Sequence, residues 1–101
     1  MFETVLSEPQ KFGLELVADM DLRDGPYEFD IVAVWRDLET GGLYYGTDSG
    51  CSCPVPFEGL SKSDLVSLNA NNFMSFRDLL LERAGNPADA SEFVLRIRQE
   101  L

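Results

Sequence analysis

Two stretches in which apolar residues recur at every second position constrain the fold of this chain more than any other feature. The first runs from Phe12 to Leu22 and the second from Tyr27 to Asp37. A period of two is typical of half-buried strands, because successive side chains of a strand point to opposite faces. The intervening RDGP favours a four-residue turn from Arg23 to Pro26, since Pro26 cannot donate the hydrogen bond that closes a two-residue hairpin. The sequence therefore predicts an antiparallel hairpin.

The hairpin register follows from the apolar pattern. If paired positions sum to 49, Leu22 lies opposite Tyr27 and Leu14 lies opposite Trp35, and one face of both strands is apolar throughout. A slip of one residue would turn that face into water, so the pattern favours this register. The predicted apolar face consists of Phe12, Leu14, Leu16, Ala18, Met20, Leu22, Tyr27, Phe29, Ile31, Ala33 and Trp35.

The rest of the chain predicts two more strands and two helices. LETGG, Leu38 to Gly42, indicates a turn into a third strand at Leu43 to Thr47, with Tyr44 and Tyr45 on its two faces. For Leu65 to Leu68 we favour a short strand over a helical turn. The predicted helix stripes are Phe73, Phe76, Leu79, Leu80 and Ala84 after a start capped by asparagines, and Phe93, Val94, Ile97 and Leu101 after a cap at Asn86.

Together these elements predict one α+β domain over residues 1–101. An antiparallel β-meander of three to four strands comes first, and two C-terminal α-helices pack on one face of the sheet. We expect that face to be the apolar face of the hairpin. The length suits a single modest core.

The charge of the chain is strongly acidic and uneven. Eighteen acids stand against eight bases, which gives a net charge of −10, and histidine is absent. Residues 1–60 hold 12 of the acids and 3 of the bases, a net −9. Such a surface repels nucleic acid and anionic membranes and attracts basic partners. Because no apolar run is long enough to span a bilayer and the start lacks a secretory pattern, we expect a cytoplasmic protein.

An acidic face on the first hairpin is the predicted partner-binding surface. In the register above, Asp21 lies opposite Glu28 and Asp19 opposite Asp30, and like charges directly opposite each other are destabilising. The face suits a basic protein partner, with the valines supplying contact area and the acids steering the approach, or it could mimic nucleic-acid phosphates. A solvated face and a cation site are the alternatives, although EF-hand spacing is absent. The predicted surface comprises Glu15, Val17, Asp19, Asp21, Glu28, Asp30, Val32 and Val34.

The two cysteines, Cys51 and Cys53, lie in a loop that we interpret as structural. A zinc site needs four ligands, so one chain cannot close it with two thiols and no imidazole, whereas two chains could share a four-thiolate site. A redox-sensitive pair is a further alternative. Catalysis is disfavoured, because nothing in the local sequence would activate a thiol, and we predict no catalytic residue, metal ligand or cofactor. The loop motif comprises Tyr44, Tyr45, Asp48, Gly50, Cys51, Cys53, Pro54, Pro56 and Phe57.

The segment from Asp30 to Glu58 resembles a family of small uncharacterised proteins encoded by phages of actinobacteria. The resemblance rests on DIVAVWRD followed by YYGTDSGCSCPVPFE. It implies a phage origin and the cytoplasm of a bacterial host, and it implies no activity. The leading hypothesis is a non-enzymatic accessory protein that binds a host protein with a basic surface. The alternatives are a metal-linked or redox-responsive homodimer built on Cys51 and Cys53, and an enzyme acting on a small substrate.

Overall fold

The protein is an antiparallel sheet followed by two helices, which confirms the predicted α+β fold. The computed structural model describes residues 4–22, 28–51, 57 and 61–101, and at positions 28, 29, 50 and 51 it describes the backbone alone. Strands are hydrogen-bonded in their order along the chain. They are β1 (Leu14–Asp21), β2 (Glu28–Asp37), β3 (Leu43–Cys51) and β4 (Val66–Leu68), and the helices are α1 (Phe73–Arg83) and α2 (Pro87–Glu100).

Strand β2 is central and has both faces buried. Val32, Ala33, Val34 and Trp35 are all 0% exposed. A continuous apolar run of this kind is typical of a strand that is covered on both sides. Because side chains alternate along β2, this strand contributes to two separate hydrophobic clusters, one on each face of the sheet.

The helices cover the face that carries Val32 and Val34. The cluster on this face also holds Leu22, Leu43 and Leu68 from the strands or their flanks. The expected apolar stripes of the helices are largely buried here. Three of their members correct the prediction: Leu79 is half-buried and lies outside the cluster, Ala84 is half-buried against it, and Leu101 is 50% exposed. The buried helical residues are Phe73, Phe76 and Leu80 of α1 and Ala90, Phe93, Val94 and Ile97 of α2.

The opposite face is covered by the N-terminal segment and by residues that follow β3. Trp35 and Leu14 lie at its centre, and the indole Nε1 of Trp35 donates a hydrogen bond of 2.8 Å to the carbonyl of Val5. Phe57 and Leu65 complete the cover. We expected the helices to pack on the face of Leu14 and Trp35, and that prediction was wrong, because the N-terminal segment and Phe57 occupy it.

The predicted register of the hairpin is also wrong. Leu16 pairs with Trp35, but Ala18 pairs with Val34, so the register shifts by one residue at a bulge between Leu16 and Ala18. Paired positions sum to 51 before the bulge and to 52 after it, rather than to 49. A bulge places an extra residue in one strand and moves the following side chains to the other face. The predicted turn at Arg23 to Pro26 lies outside the described residues.

The other elements match the prediction closely. Strand β3 is longer than expected, and β4 confirms that 66–68 is a strand. The side chain of Asn86 caps α2, accepting hydrogen bonds from the amides of Ala88 and Asp89 at 3.1 and 3.4 Å. Asn72 precedes α1 without a side-chain cap, and its amide instead donates to the carbonyl of Ser67 at 2.6 Å. That contact fixes the connection between β4 and α1.

Candidate functional site

Three acids of the predicted surface lie exposed on β1, a strand at the edge of the sheet. These are Glu15, Asp19 and Asp21. Their partners across the ladder are Arg36, Ala33 and Ile31, so the predicted pairs Asp21 with Glu28 and Asp19 with Asp30 do not form. Acids on an edge strand also discourage pairing with another chain. Because of the bulge, Glu15 lies on the face of Val17, whereas Asp19 and Asp21 lie on the face of Ala33, so the three acids are exposed without forming one row or the predicted like-charge pairs.

Asp30 is a buried structural residue and not part of an open face. Its two carboxylate oxygens accept hydrogen bonds from one edge of the Arg83 guanidinium of α1, at 2.5 Å from Nη2 and 3.1 Å from Nε. The residue is 5% exposed, and Arg83 also reaches the hydroxyl of Thr47. Two parallel charge-assisted hydrogen bonds of this geometry give the buried carboxylate both a charge partner and its hydrogen-bond donors. The expectation that Asp30 faces a partner is contradicted by this burial.

The valines of the predicted surface belong to the core. Val32 and Val34 are fully buried beneath the helices, and Val17 is half-buried against the same cluster. The helices cover them because the face opposite Trp35 is itself apolar along β2. The side chain of Glu28 lies outside the described residues. Partner binding by the exposed acids stays a prediction. The predicted surface that combines these acids with Asp30, Val32 and Val34 is not formed, because those three residues are buried.

An acidic cleft replaces it, between the end of β1 and the start of α2. It has a volume of about 590 Å³ and opens to solvent. Asp21 lies on one side, and Asp89 and Glu92 lie on the other, both exposed. Met20 and the buried Phe93 supply its apolar surface. The cleft therefore joins three carboxylates to an apolar base.

The contacts around the cleft hold its two sides in place. Asp21 accepts a hydrogen bond of 3.0 Å from the amide of Asp30, which fixes the carboxylate at the end of β1. Arg96, which also lines the cleft, donates from Nη2 to the carbonyl of Val17 at 3.3 Å. Sequence reasoning missed Asp89 and Glu92 because they lie about 70 positions from β1 in the chain. The sequence predicted that both acids lie on a helix, but it did not indicate that this helix brings them to the same cleft as Asp21.

The described part of the cysteine motif has a structural role. The Asp48 carboxylate accepts a hydrogen bond of 2.7 Å from the amide of Phe57, and Phe57 adopts a positive φ of 64°. The Phe57 ring is fully buried and meets the Trp35 ring edge to face, with centroids 5.4 Å apart. A non-glycine residue with this φ is uncommon, and the Asp48 contact and the ring packing together stabilise it. Asp48 thus fastens the end of the motif to the sheet.

The tyrosines of the motif lie on the two faces of β3, as predicted. Tyr44 belongs to the cluster around Trp35, and Tyr45 packs against Phe76 with ring centroids 4.9 Å apart. The backbone of Cys51 ends β3, whereas Cys53, Pro54 and Pro56 lie outside the described residues. Among the described residues no group of three or more acids or cysteines is placed to hold a metal ion. Metal sharing and redox behaviour of the cysteines remain predictions.

Asp37, whose carboxylate is buried, forms an ionic contact with the partly exposed Lys62, which the sequence did not indicate. The Asp37 carboxylate is 2% exposed and lies 2.5 Å from Nζ of Lys62, and it also accepts from the amide of Glu39 at 2.9 Å. The Lys62 hydrogen bond, followed by the Glu39 amide, lowers the pKa of Asp37 below its ordinary value. The same hydrogen bond raises the pKa of Lys62. The contact joins the end of β2 to the 3-10 turn Lys62–Asp64.

The fold and the cleft define a small α+β protein with a doubly covered antiparallel sheet and an acidic cleft at one end. The chain belongs to the family described as Domain of unknown function (DUF7574), whose model matches residues 3–96. No curated protein and no solved structure matches the chain. In the described ranges, every helix is too short or too polar to cross a membrane.

Proposed function

We propose that the protein is a non-enzymatic accessory protein, encoded by a phage of actinobacteria, that binds a basic segment of a host protein in the host cytoplasm. The phage origin and the host compartment come from the motif resemblance. Membership of a family of unknown function over residues 3–96 is compatible with them. The binding role rests on the acidic cleft.

The observation that carries the proposal is the combination of charge and apolar surface in one cleft. A lysine or arginine side chain buries its aliphatic stem on apolar surface and keeps its charged end among polar groups. Met20 and Phe93 offer the apolar surface, and Asp21 lies beside them with the α2 acids opposite. A guanidinium or ammonium group between these carboxylates would gain charge-assisted hydrogen bonds.

The charge of the whole protein supports the same partner. A net charge of −10 draws basic molecules toward the surface from a distance and repels nucleic acid. Glu15 and Asp19 add exposed negative charge elsewhere on β1, one on each face of the sheet. The partner's basic segment would thus be steered by the whole surface and oriented by the cleft. The same acids could mimic the phosphates that such a segment ordinarily binds.

The test compares two charge reversals of equal size, Glu92→Lys and Glu82→Lys. Both glutamates are exposed on helices, and each variant changes the net charge from −10 to −8, but only Glu92 lines the cleft. Binding is measured by fluorescence anisotropy with a labelled lysine-rich peptide, and by retention of host-lysate proteins at low and high salt. We expect Glu92→Lys to weaken peptide binding about tenfold and Glu82→Lys to leave it nearly unchanged.

Two outcomes would contradict the proposal. Equal weakening by both variants would mean that net charge alone attracts the peptide and that the cleft is not the site. Unchanged binding in both variants, or no binding by the wild type, would remove the role of the cleft altogether. Far-UV circular dichroism of each variant checks that the helices remain folded.

A further inference from the structure

A second surface, of different character, lies between the two helices. A groove of about 460 Å³ runs between α1 and α2, with Phe73 and Val94 at its base. Met74, Leu95 and Leu101 line it and are 53%, 59% and 50% exposed. They are three of the five large hydrophobic side chains that are exposed in the described part of the chain. Apolar side chains concentrated at one exposed place mark an interaction site rather than a random surface.

The groove is edged by positive charge, in contrast to the rest of the molecule. Arg77 of α1 and Arg98 of α2 both line it. Arg77 pairs with its own exposed neighbour Asp78 at 3.0 Å, and Arg98 has no ion pair or side-chain hydrogen bond within the described ranges. The remaining described bases each contact an acid or a carbonyl of the fold, namely Lys11, Arg36, Lys62, Arg83 and Arg96. Arg98 and Arg77, the latter paired with an exposed neighbour, thus place positive charge beside an apolar groove on an otherwise acidic protein.

We infer that this groove receives an amphipathic helix of a partner protein that carries carboxylates beside its apolar face. A groove between two helices accepts a third helix whose apolar residues recur at three- and four-residue spacing. Arg77 and Arg98 lie on different helices, so each could pair with a carboxylate on its own side of the inserted helix. A second copy of this chain is the weaker fit, because two molecules of net charge −10 repel each other.

This surface is independent of the acidic cleft. The cleft uses the start of α2 and the end of β1, whereas the groove uses the start of α1 and the second half of α2. The two sites have opposite charge and share no lining residue. The protein would thus hold a basic segment at one place and an acidic helix at another, which suits a small adaptor between two partners or two parts of one partner.

The experiment uses a synthetic peptide of about 18 residues with leucines at positions i, i+3, i+4 and i+7 and glutamates beside them. The control peptide carries glutamine in place of each glutamate, so that it is not drawn to the acidic cleft. Binding to the full-length protein is measured by fluorescence anisotropy for the wild type and for Leu95→Asp, Arg98→Gln and Leu38→Asp. Leu38 is 55% exposed and lies outside the groove, so it matches Leu95 in exposure and in the change made.

We expect the glutamate peptide to bind the wild type and the glutamine peptide to bind more weakly. Leu95→Asp should weaken binding of the glutamate peptide tenfold or more, and Arg98→Gln should weaken it severalfold, while Leu38→Asp leaves it unchanged. Equal binding of both peptides, equal loss in Leu95→Asp and Leu38→Asp, or no binding would overturn the inference. Sedimentation that shows a wild-type dimer dissociated by Leu95→Asp would overturn it in favour of a second copy. All the substituted side chains are exposed or at a helix surface, and circular dichroism verifies folding.

Discussion

Gly46 of β3 lies where a side chain would collide with the cluster around Trp35. A Cβ built at this position would come within 2.7 Å of Cδ2 of Leu65 and within 3.5 Å of the Phe57 and Trp35 rings. Distances below about 3 Å cannot be accommodated without movement of the neighbour, and the interior is densely packed. Leu65 is 9% exposed, so it has little room to move. The missing side chain at Gly46 therefore allows Leu65 and Phe57 to cover the sheet.

We expect Gly46→Ala to lower the free energy of unfolding by about 1 kcal/mol. The strain of overpacking exceeds the stabilisation that alanine provides by reducing the conformational entropy of the unfolded chain. Urea denaturation measures the change. Gly42→Ala is the control, since its Cβ would meet one atom, Oγ1 of Thr40, at an ordinary 3.4 Å. In a Leu65→Ala background the cost of Gly46→Ala should shrink, because the colliding atom is gone. A cost that persists there would refute the collision.

At the residue level, the sequence indicated which positions are acidic but not which acids are buried. Asp30 and Asp19 are alike in the alternating pattern, yet Asp30 is buried against Arg83 and Asp19 is exposed. The difference depends on a guanidinium 53 positions away, which local periodicity cannot reveal. For Val32 and Val34 a usable signal was present. The uninterrupted apolar run from Ile31 to Trp35 indicates a strand buried on both faces, rather than one with a solvated face.

At the level of elements, β2 is tied by ionic contacts to three different parts of the chain. Asp30 binds Arg83 at the end of α1, Arg36 contacts Glu100 at the end of α2, and Asp37 binds Lys62 after β3. The Arg36 contact joins two side chains that both reach solvent, so it contributes little to stability. The other two have a buried carboxylate, and loss of either base would leave that charge without its partner.

The Asp37 contact gives a pH dependence that can be worked out from the pKa directions. The folded-state pKa of Asp37 is lowered below 3.8, so its stabilisation is fully present above 3.8 and is lost as pH falls through the lower, folded value. The folded-state pKa of Lys62 is raised above 10.5, so its stabilisation is present below 10.5 and is lost as pH rises through the higher value. We therefore expect Lys62→Met to destabilise the protein by a constant amount between about pH 5 and pH 9.

The measurement is urea denaturation of the wild type and Lys62→Met across the pH range. The two stabilities should converge in strong acid, where Asp37 is protonated in the folded state of both proteins. Arg77→Met is the control, because Arg77 pairs with Asp78 at the surface, with both side chains exposed, and its loss should change stability little at any pH. A gap between wild type and Lys62→Met that does not narrow in acid would contradict the role of Asp37.

The element types could be predicted from the sequence, but the register of β1 could not. Alternation and capping residues identified the strands and both helices, because these signals are local. Apolar residues alternate in the sequence without a break at the bulge between Leu16 and Ala18. The bulge nevertheless moves the side chains in the second half of β1 to the other face of the sheet. Both faces of β2 are apolar, so the pattern alone does not reveal that change. The acidic cleft depends on this register and on the position of α2, and for that reason it was missed.

For the molecule as a whole, β2 makes the two hydrophobic clusters depend on each other. Val32 and Val34 enter the cluster under the helices, whereas Ala33 and Trp35 enter the cluster under the N-terminal segment. Loss of either cover would expose one face of the same strand. The chain offers a separate optical probe for each side, because its single tryptophan lies in one cluster and its two helices border the other.

We therefore expect unfolding to be cooperative across both faces, as in most single domains of this size. Trp35 is fully buried, and its emission should shift to longer wavelength when the N-terminal cover is lost. Far-UV circular dichroism follows the helices. The two signals should give the same midpoint in urea, and Val5→Ala should lower both midpoints together, because Val5 packs beside Trp35 and is itself fully buried. If Val5→Ala lowers the urea midpoint of the fluorescence signal and leaves the midpoint of the circular dichroism signal unchanged, the N-terminal segment opens independently. In that case β2 does not couple the two faces.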